Sequence, residues 1–206
     1  MSTLMEPVTP DFIASQSHRA LQNAFCNEEQ ARRLYLHAAQ TMEEAQLHVI
    51  AHMLHFTAAQ EKEHAAIFAG LISTYGGHAS SSADEIPLPA GGPADILRAF
   101  AQAETLEAQQ RYPEAARIAL AEGYPRIAVA FQRIAETEAL HAQRFHQFEQ
   151  ALTSGALFQE SAPVSWLCLP CGQFHTGCEP PASCPRCNRD RGHFIRSNYS
   201  PFHVEG

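Results

Sequence analysis

Between residues 15 and 153, apolar side chains recur at intervals of three and four within stretches rich in Ala, Gln and Glu. That is the period of helices with one buried face. The pattern breaks near Glu43–Gln46, through "YGGHASSSADEIPLPAGGPAD" at 75–95, and at "EGYP" at 122–125, where Gly, Pro and polar residues gather. Four helices are predicted, roughly 15–44, 46–74, 94–121 and 124–153. The first and third breaks are short, so helices one and two, and three and four, should form antiparallel hairpins. The second break is about twenty residues long, enough for a crossover along a bundle. The expected architecture is an all-α four-helix bundle with one long crossover over 15–153, the ferritin-like arrangement. Residues 154–165 read as a linker, and 166–206 as a small β/loop module too short to hold together on apolar burial alone.

At about 100° per residue, the acidic residues can be placed on these helices. On the first, Leu21, Ala24, Glu28, Tyr35, Ala39 and Met42 fall near one line. On the second, the line carries Ile50, Leu54, Thr57, Glu61, Phe68 and Ile72, with His64 to one side. The third carries Leu97, Phe100 and Glu104, with Glu107 beside it; the fourth carries Phe131, Ile134, Glu138 and Phe145, with His141 slightly off. Every helix thus puts a carboxylate in the middle of the face that should be buried. A lone ionised carboxylate there costs several kcal/mol. These stripes hold no Lys, so the charge must be met some other way. Glu28, Glu61-x-x-His64, Glu104-x-x-Glu107 and Glu138-x-x-His141 form the pattern of a carboxylate-bridged di-iron site, each i, i+3 pair projecting to one side of its helix. Two iron ions would nearly neutralise the five carboxylates. His48, His52 and His55 form a second stripe, about 150–180° from the Glu61/His64 face. They are expected to face solvent or a partner chain, and His37, opposite Glu28, likewise.

The C-terminal stretch "WLCLPCGQFHTGCEPPASCPRCNRD" (166–190) holds two CxxC pairs, Cys168/Cys171 and Cys184/Cys187. This is the spacing of a tetrahedral four-thiolate site. Spacing alone does not separate iron from zinc, since both accept four sulfurs in a tetrahedron. The thiols read as ligands kept in a reducing compartment rather than as disulfides. The start "MSTLMEPVTPDF" has neither a basic segment nor an apolar run, so a cytoplasmic location is expected. Apolar runs are far short of a membrane span. The net charge is -8. It divides into +1 for 164–206 and -9 for the rest, an acidic body that argues against nucleic acid as partner.

With these residues in place, the chain resembles the rubrerythrin family from about residue 18 to 196, in that family's domain order. "AFCNEEQARRLY" (24–35), "EKEHA" (61–65), "AETLEAQQRYPEAARIALAEGYP" (103–125) and "IAETEALHAQRF" (134–145) resemble its four helix motifs. "WLCLPCG" with "CPRC" resembles its rubredoxin-like tail. The chain departs from the family at Cys26 and Asn27, where small residues are usual. It departs again at Asn188, where simple rubredoxins have Gly, and in the extra Cys178.

The resemblance implies a di-iron peroxidase that reduces hydrogen peroxide to water. Its iron ligands would be Glu28, Glu61, His64, Glu104, Glu107, Glu138 and His141. Glu107 and His64 would exchange on one iron between redox states, with Tyr35 and Tyr112 as site tyrosines. A mononuclear iron on Cys168, Cys171, Cys184 and Cys187 would be the electron inlet, fed by rubredoxin or an NAD(P)H-dependent reductase. A head-to-tail homodimer would let electrons cross between chains. The rival reading is an iron-oxidising, oxygen-detoxifying protein with a structural zinc ribbon. One conflict remains. On a straight third helix Arg111 falls on the buried line and Tyr112 lies about 110° from the centre of the Glu104/Glu107 pair. A π-bulge between Glu107 and Tyr112, next to Pro113 with its missing N–H, would resolve both.

Overall fold

Ser15 opens the first helix: its Oγ accepts the backbone N–H of His18 at 3.0 Å, as an N-cap should. Glu122, in the turn before the last long helix, reaches the same helix end. Its carboxylate accepts the N–H groups of Gln16 and Ser17 and the Ser17 hydroxyl. The structure is a computed structural model that describes residues 12–80 and 87–199. Part of the expected crossover (81–86) and the end of the C-terminal module (200–206) lie outside the described residues.

The long helices are α1 (Gln16–Glu44), α2 (His48–Thr74), α3 (Pro93–Leu106), α4 (Tyr112–Ala121) and α5 (Pro125–Thr153). α3 and α4 are one rod joined by a π-helical turn at Glu107–Arg111, in which the Tyr112 N–H reaches back five residues to the Glu107 carbonyl. α1 packs along α2, and the α3–α4 rod along α5. The second helix begins at His48 rather than 46 because α1 ends in a Schellman-type turn. The Leu47 N–H bonds Met42 O at 2.8 Å, and Gln46 takes φ 58°.

Two apolar clusters fill the bundle. One gathers Tyr35, Met42, Ile50, Leu54, Leu97, Phe100 and Phe145. The other gathers Leu21, Phe68, Ile72, Tyr112, Ile127 and Phe131. On every helix the candidate ligands lie in sequence between members of the two clusters, so the polar centre is walled above and below by packed hydrocarbon.

After α5 the chain makes a short 3₁₀ turn at Ala156–Phe158, whose Leu157 and Phe158 pack on the first cluster. The predicted linker is therefore packed against the bundle. A three-stranded antiparallel sheet follows, in the order β2 (Phe174–Gly177), β1 (Val164–Cys168), β3 (Phe194–Arg196). Trp166 is fully buried with Cys168, Cys184 and Phe194, and its Nε1–H donates to Gly177 O at 2.9 Å. Ile195 joins the bundle's own core, so the module is docked on the end of the bundle where α1 turns into α2.

This docking corrects the expectation for His48, while His52 and His55 are exposed as expected. His48 stacks on His193 of the C-terminal module, with ring centroids 3.9 Å apart and planes at 5°, and His52 lies 6.5 Å from the same ring. Helical periodicity placed these side chains opposite the carboxylates but carried no information about what covers them. His55 is exposed beside Glu43.

Candidate metal centres

Each of the four helical motifs delivers its side chains to one central point. His64 Nδ1 lies 2.9 Å from Glu138, 3.1 Å from Glu61 and 3.8 Å from Glu28. His141 Nδ1 lies 2.7 Å from Glu138, 2.9 Å from Glu61 and 3.9 Å from Glu104. Two groups of ligating atoms result, each within 4.8 Å: Glu28, Glu61, His64, Glu138 and Glu61, Glu104, Glu138, His141. Glu61 and Glu138 belong to both, and all these side chains are buried.

The two tyrosines close the ends. The Tyr35 hydroxyl donates to Glu104, and the Tyr112 hydroxyl donates to Glu28. Each tyrosine therefore holds a carboxylate of the opposite hairpin. The π turn makes this possible for Tyr112: the side chain is 2 % exposed, while Arg111 is turned outward with its side chain half exposed.

Glu107 stands at the edge, outside both groups of four. It is held by the Asn27 amide at 3.3 Å and by Arg111 Nη1 at 3.2 Å. Sequence reasoning noted Asn27 only as a departure from the family's usual small residue. It missed the support behind His141 altogether. His141 Nε2 faces Gln60 Oε1 at 3.1 Å, and Arg144 Nη1 donates to that oxygen and to Thr57 Oγ1 at 3.1 and 2.8 Å. Such partners fix a ligating imidazole's tautomer and orientation. Arg144, at i+3 from His141, was a readable signal; Gln60, a polar neighbour of Glu61, offered none.

Burial without solvent sets the electrostatics. It pushes the Glu28 and Glu104 carboxyls well above their usual range, reinforced by the charges of Glu138 and Glu61. Burial and Glu138 raise Glu107 to about 7. Burial also works against charge on Glu61, but the close imidazoles of His141 and His64 outweigh it and hold the carboxyl down to about 2. His64 likewise overcomes its burial through Glu138, Glu28 and Glu61, and is pushed up to about 12. Both tyrosines are raised, by burial and then by the carboxylates they touch.

Protons alone do not satisfy this centre. Glu61 Oε1, both Glu138 oxygens and His141 Nδ1 are buried without a properly aligned hydrogen-bond partner, despite close approach. Lone pairs converging from four carboxylates and two imidazoles, unmatched by donors, are the donor set of a pair of hard-to-borderline cations. The residues fit two metal ions.

In the C-terminal module Cys168 Sγ and Cys187 Sγ are 3.7 Å apart, as are Cys171 Sγ and Cys184 Sγ. Sulfurs about 2.3 Å from one ion at the tetrahedral angle are about 3.8 Å apart. Backbone N–H groups of Cys171, Gln173, Arg186 and Cys187 point at the sulfurs. The two knuckles match: Gly172 and Asn188 both take positive φ, 72° and 59°, and their N–H groups bond the carbonyls of Cys168 and Cys184 at 2.9 Å. Asn188 thus adopts the left-handed conformation that its glycine counterpart takes freely. Cys26 and Cys178 stand apart as free thiols.

The fold agrees with the comparisons. The solved nigerythrin structure in a mixed-valence state superposes with a TM-score of 0.60 at 24% identity, covering 95% of this chain and 94% of that one. A Desulfovibrio desulfuricans bacterioferritin with a di-iron site matches the fold at TM-score 0.64 and 19% identity, over 68% of this chain and 82% of its own. Rubrerythrin of Porphyromonas gingivalis is 33% identical over 90% of this chain and 92% of its own length. Rubrerythrin of Nitratidesulfovibrio vulgaris is 34% identical over 87% and 93%. The sequence profile of the Rubrerythrin family matches residues 19–91 and 94–163, and the chain belongs to the rubrerythrin family.

Proposed function

We propose that this protein is a peroxidase that reduces hydrogen peroxide to water at a di-iron centre, with electrons entering through iron at the four-cysteine site. The observation that carries the reading is the pair of ligand groups sharing Glu61 and Glu138, with buried oxygens that approach the imidazoles closely but form no aligned hydrogen bond. Glu28, Glu61, His64 and Glu138 would hold one ion, and Glu61, Glu104, Glu138 and His141 the other. Bound there, two ferrous ions supply the two electrons that cleavage of the O–O bond requires. That nigerythrin is known in mixed-valence and all-ferrous states supports a redox role for such a centre.

The protein's own groups do the rest. Hydrogen peroxide, two electrons and two protons give two waters, so protons must be held close by. The Tyr35 and Tyr112 hydroxyls keep theirs, because burial and the adjoining carboxylates oppose ionisation. Glu107 stands at the edge of the centre as a further carboxyl group beside it, held by Asn27 and Arg111. Of the Glu107/His64 pair, His64 stands inside the cluster, while Asn27 and Arg111 hold Glu107 at its edge. The apolar clusters on either side keep bulk water out.

About 16 residues of α2 separate His48, at the docked module, from His64, which is roughly 24 Å of helix. That separation favours electron delivery from the four-cysteine site of a second copy, in a homodimer, over delivery within one chain. Rubredoxin or an NAD(P)H-dependent reductase is the outside donor we propose, and the reducing cytoplasm the compartment. Among the described residues no helix is long and apolar enough to cross a membrane.

The test begins with metal analysis of anaerobically purified protein. Three irons per chain and iron–thiolate absorption that reductant bleaches are expected. Mixing the reduced protein with hydrogen peroxide should reoxidise it much faster than mixing it with dioxygen. A colourless zinc-bearing tail with faster oxidation by dioxygen would replace this reading with that of an iron-oxidising protein.

A further inference from the structure

We propose that His48, Asp190 and His193 form a further metal site, for a divalent cation of the zinc type, which fastens the four-cysteine module to its own helical bundle. It does not rest on the reading of the di-iron centre and uses none of its residues.

His48 is the first residue of α2; Asp190 caps, and His193 ends, a 3₁₀ turn in the module. One ligating atom from each lies within 4.8 Å of the others. The Asp190 carboxylate is already oriented: Oδ1 accepts the Gly192 N–H at 2.8 Å, leaving Oδ2 to face both rings. His48 Nε2 is 3.5 Å and His193 Nε2 3.8 Å from that oxygen. These distances are at or beyond the limit for hydrogen bonds. They are close to the roughly 3.3–3.6 Å between ligands that share one ion at about 2.0–2.1 Å and 110–120°.

The second observation concerns His193. The residue is 8 % exposed, and its Nδ1 is buried with no hydrogen-bond partner. A neutral imidazole this deep ordinarily has its nitrogens engaged; here neither is, and Nε2, the nitrogen an ion at this site would take, meets only the long contact to Asp190. The approach of the module is tight as well. A Cβ on Gly192 would stand 2.0 Å from the Gln46 carbonyl, so the turn carrying Asp190 and His193 is seated directly on the end of α1.

Two imidazoles and one carboxylate are a common three-ligand set for zinc, with the fourth position left to water or another side chain. His52 sits one helical turn beyond His48 and can complete the set by a rotamer change. Parallel stacked rings aim their lone pairs side by side, so capture requires one ring to tilt. The His48 side chain, 21% exposed, has room to do so. An ion held there would join α2 to the module and fix where the four-cysteine site stands relative to its own bundle.

The experiment uses the full-length, iron-loaded protein. Zn²⁺ is titrated calorimetrically, and Co²⁺ is followed by its visible ligand-field absorption, with iron counted before and after. The expected result is one additional ion per chain, with tetrahedral-type cobalt absorption. His193→Gln and, separately, His48→Gln should each weaken that binding at least tenfold while iron content stays unchanged. His48 is partly exposed at a helix start, so the second variant folds even where burial makes the first fragile. No additional equivalent in the wild type, or His48→Gln binding as tightly as wild type, overturns the proposal.

Discussion

Glu104→Gln should move stability in opposite directions with and without metal. In the metal-free protein, Glu104 lies with Glu61 and Glu138 in one group whose ligating atoms are within 4.8 Å. Two unit charges at that distance repel by about 3.5 kcal/mol at an effective dielectric of 20. Glu104 faces two such neighbours, and the Tyr35 hydroxyl returns only part of the loss. The chain's alternative is to keep Glu104 protonated, which is the direction burial already drives it. Either way the native state is penalised at neutral pH. Glutamine keeps the shape and still accepts the Tyr35 hydrogen bond, so it should stabilise the metal-free bundle by about 2 kcal/mol after relaxation, or roughly 4–8 °C for a protein of this size. The sign with pH is fixed. An acid whose pKa is higher in the folded state binds more proton there, so its penalty grows as pH rises above the unfolded value and is absent below it. The gain should therefore be present at pH 7 and gone near pH 4. In the iron-loaded protein the order must reverse, since the amide is a poorer ligand and a bridging network loses a carboxylate. Helical circular dichroism on heating, with and without chelator and at both pH values, checks all of this. A metal-free Glu104→Gln that melts below wild type at pH 7, or a gain of equal size at pH 4, refutes the reasoning.

Three further outcomes are expected. Glu122→Gln should lower the melting temperature at pH 7 by an amount that vanishes in acid. Burial opposes charge on Glu122, but the hydroxyl and N–H groups of Ser17 and the N–H of Gln16 hold its carboxyl below the usual range, so its contribution exists only above the folded-state value; a pH-independent difference would refute this. Asn188→Gly should leave the four-cysteine module intact, whereas Asn188→Val should cost about 1–2 kcal/mol because a β-branched residue resists the positive φ found there; equal thiolate-band melting temperatures for the two variants would count against it. A mixed dimer of one chain lacking Cys168 and Cys171 with another lacking Glu61 and Glu138 should sustain substantial reductant-driven peroxide turnover, and an intact but inactive mixed dimer would confine electron flow to single chains.

Much of the bundle was legible because burial writes a period into a helix. The carboxylates stood out as acidic residues on apolar stripes, and the clash between Arg111 and Tyr112 on a straight helix pointed to the π turn. Periodicity fixes azimuth, however, and azimuth does not name a neighbour. It set His48 opposite Glu61 correctly, yet could not say that the chain's own C-terminal module covers it. The crossing hydrogen bonds from Tyr35 to Glu104 and from Tyr112 to Glu28 join residues about seventy and eighty-five positions apart. Nothing local encodes which tyrosine meets which carboxylate. Gln60 and Asn27 escaped for the same reason: each is an ordinary polar helix residue whose role depends on what stands across the bundle.

The centre is nearly two-fold symmetric, and its one asymmetry is informative. Glu28, Glu61, His64 and Tyr35 of the first hairpin correspond to Glu104, Glu138, His141 and Tyr112 of the second. The histidines follow their glutamates by three residues in both halves. The tyrosines do not match: Tyr35 follows Glu28 by seven residues, Tyr112 follows Glu104 by eight, and the π turn absorbs the extra residue. The same turn begins at Glu107, whose counterpart three residues after Glu28 is Ala31. One half therefore carries an additional carboxylate, and it is tied to Asn27, the neighbour of Glu28, across the bundle. This spare acid bears on both halves: its charge acts on Glu104, three residues before it, and its carboxylate accepts from Asn27, next to Glu28. The two hairpins are thereby unequal in charge, at the place where the α3–α4 rod departs from regular helix geometry. The π turn absorbs the extra residue between Glu104 and Tyr112 and so keeps Tyr112 in register with Glu28.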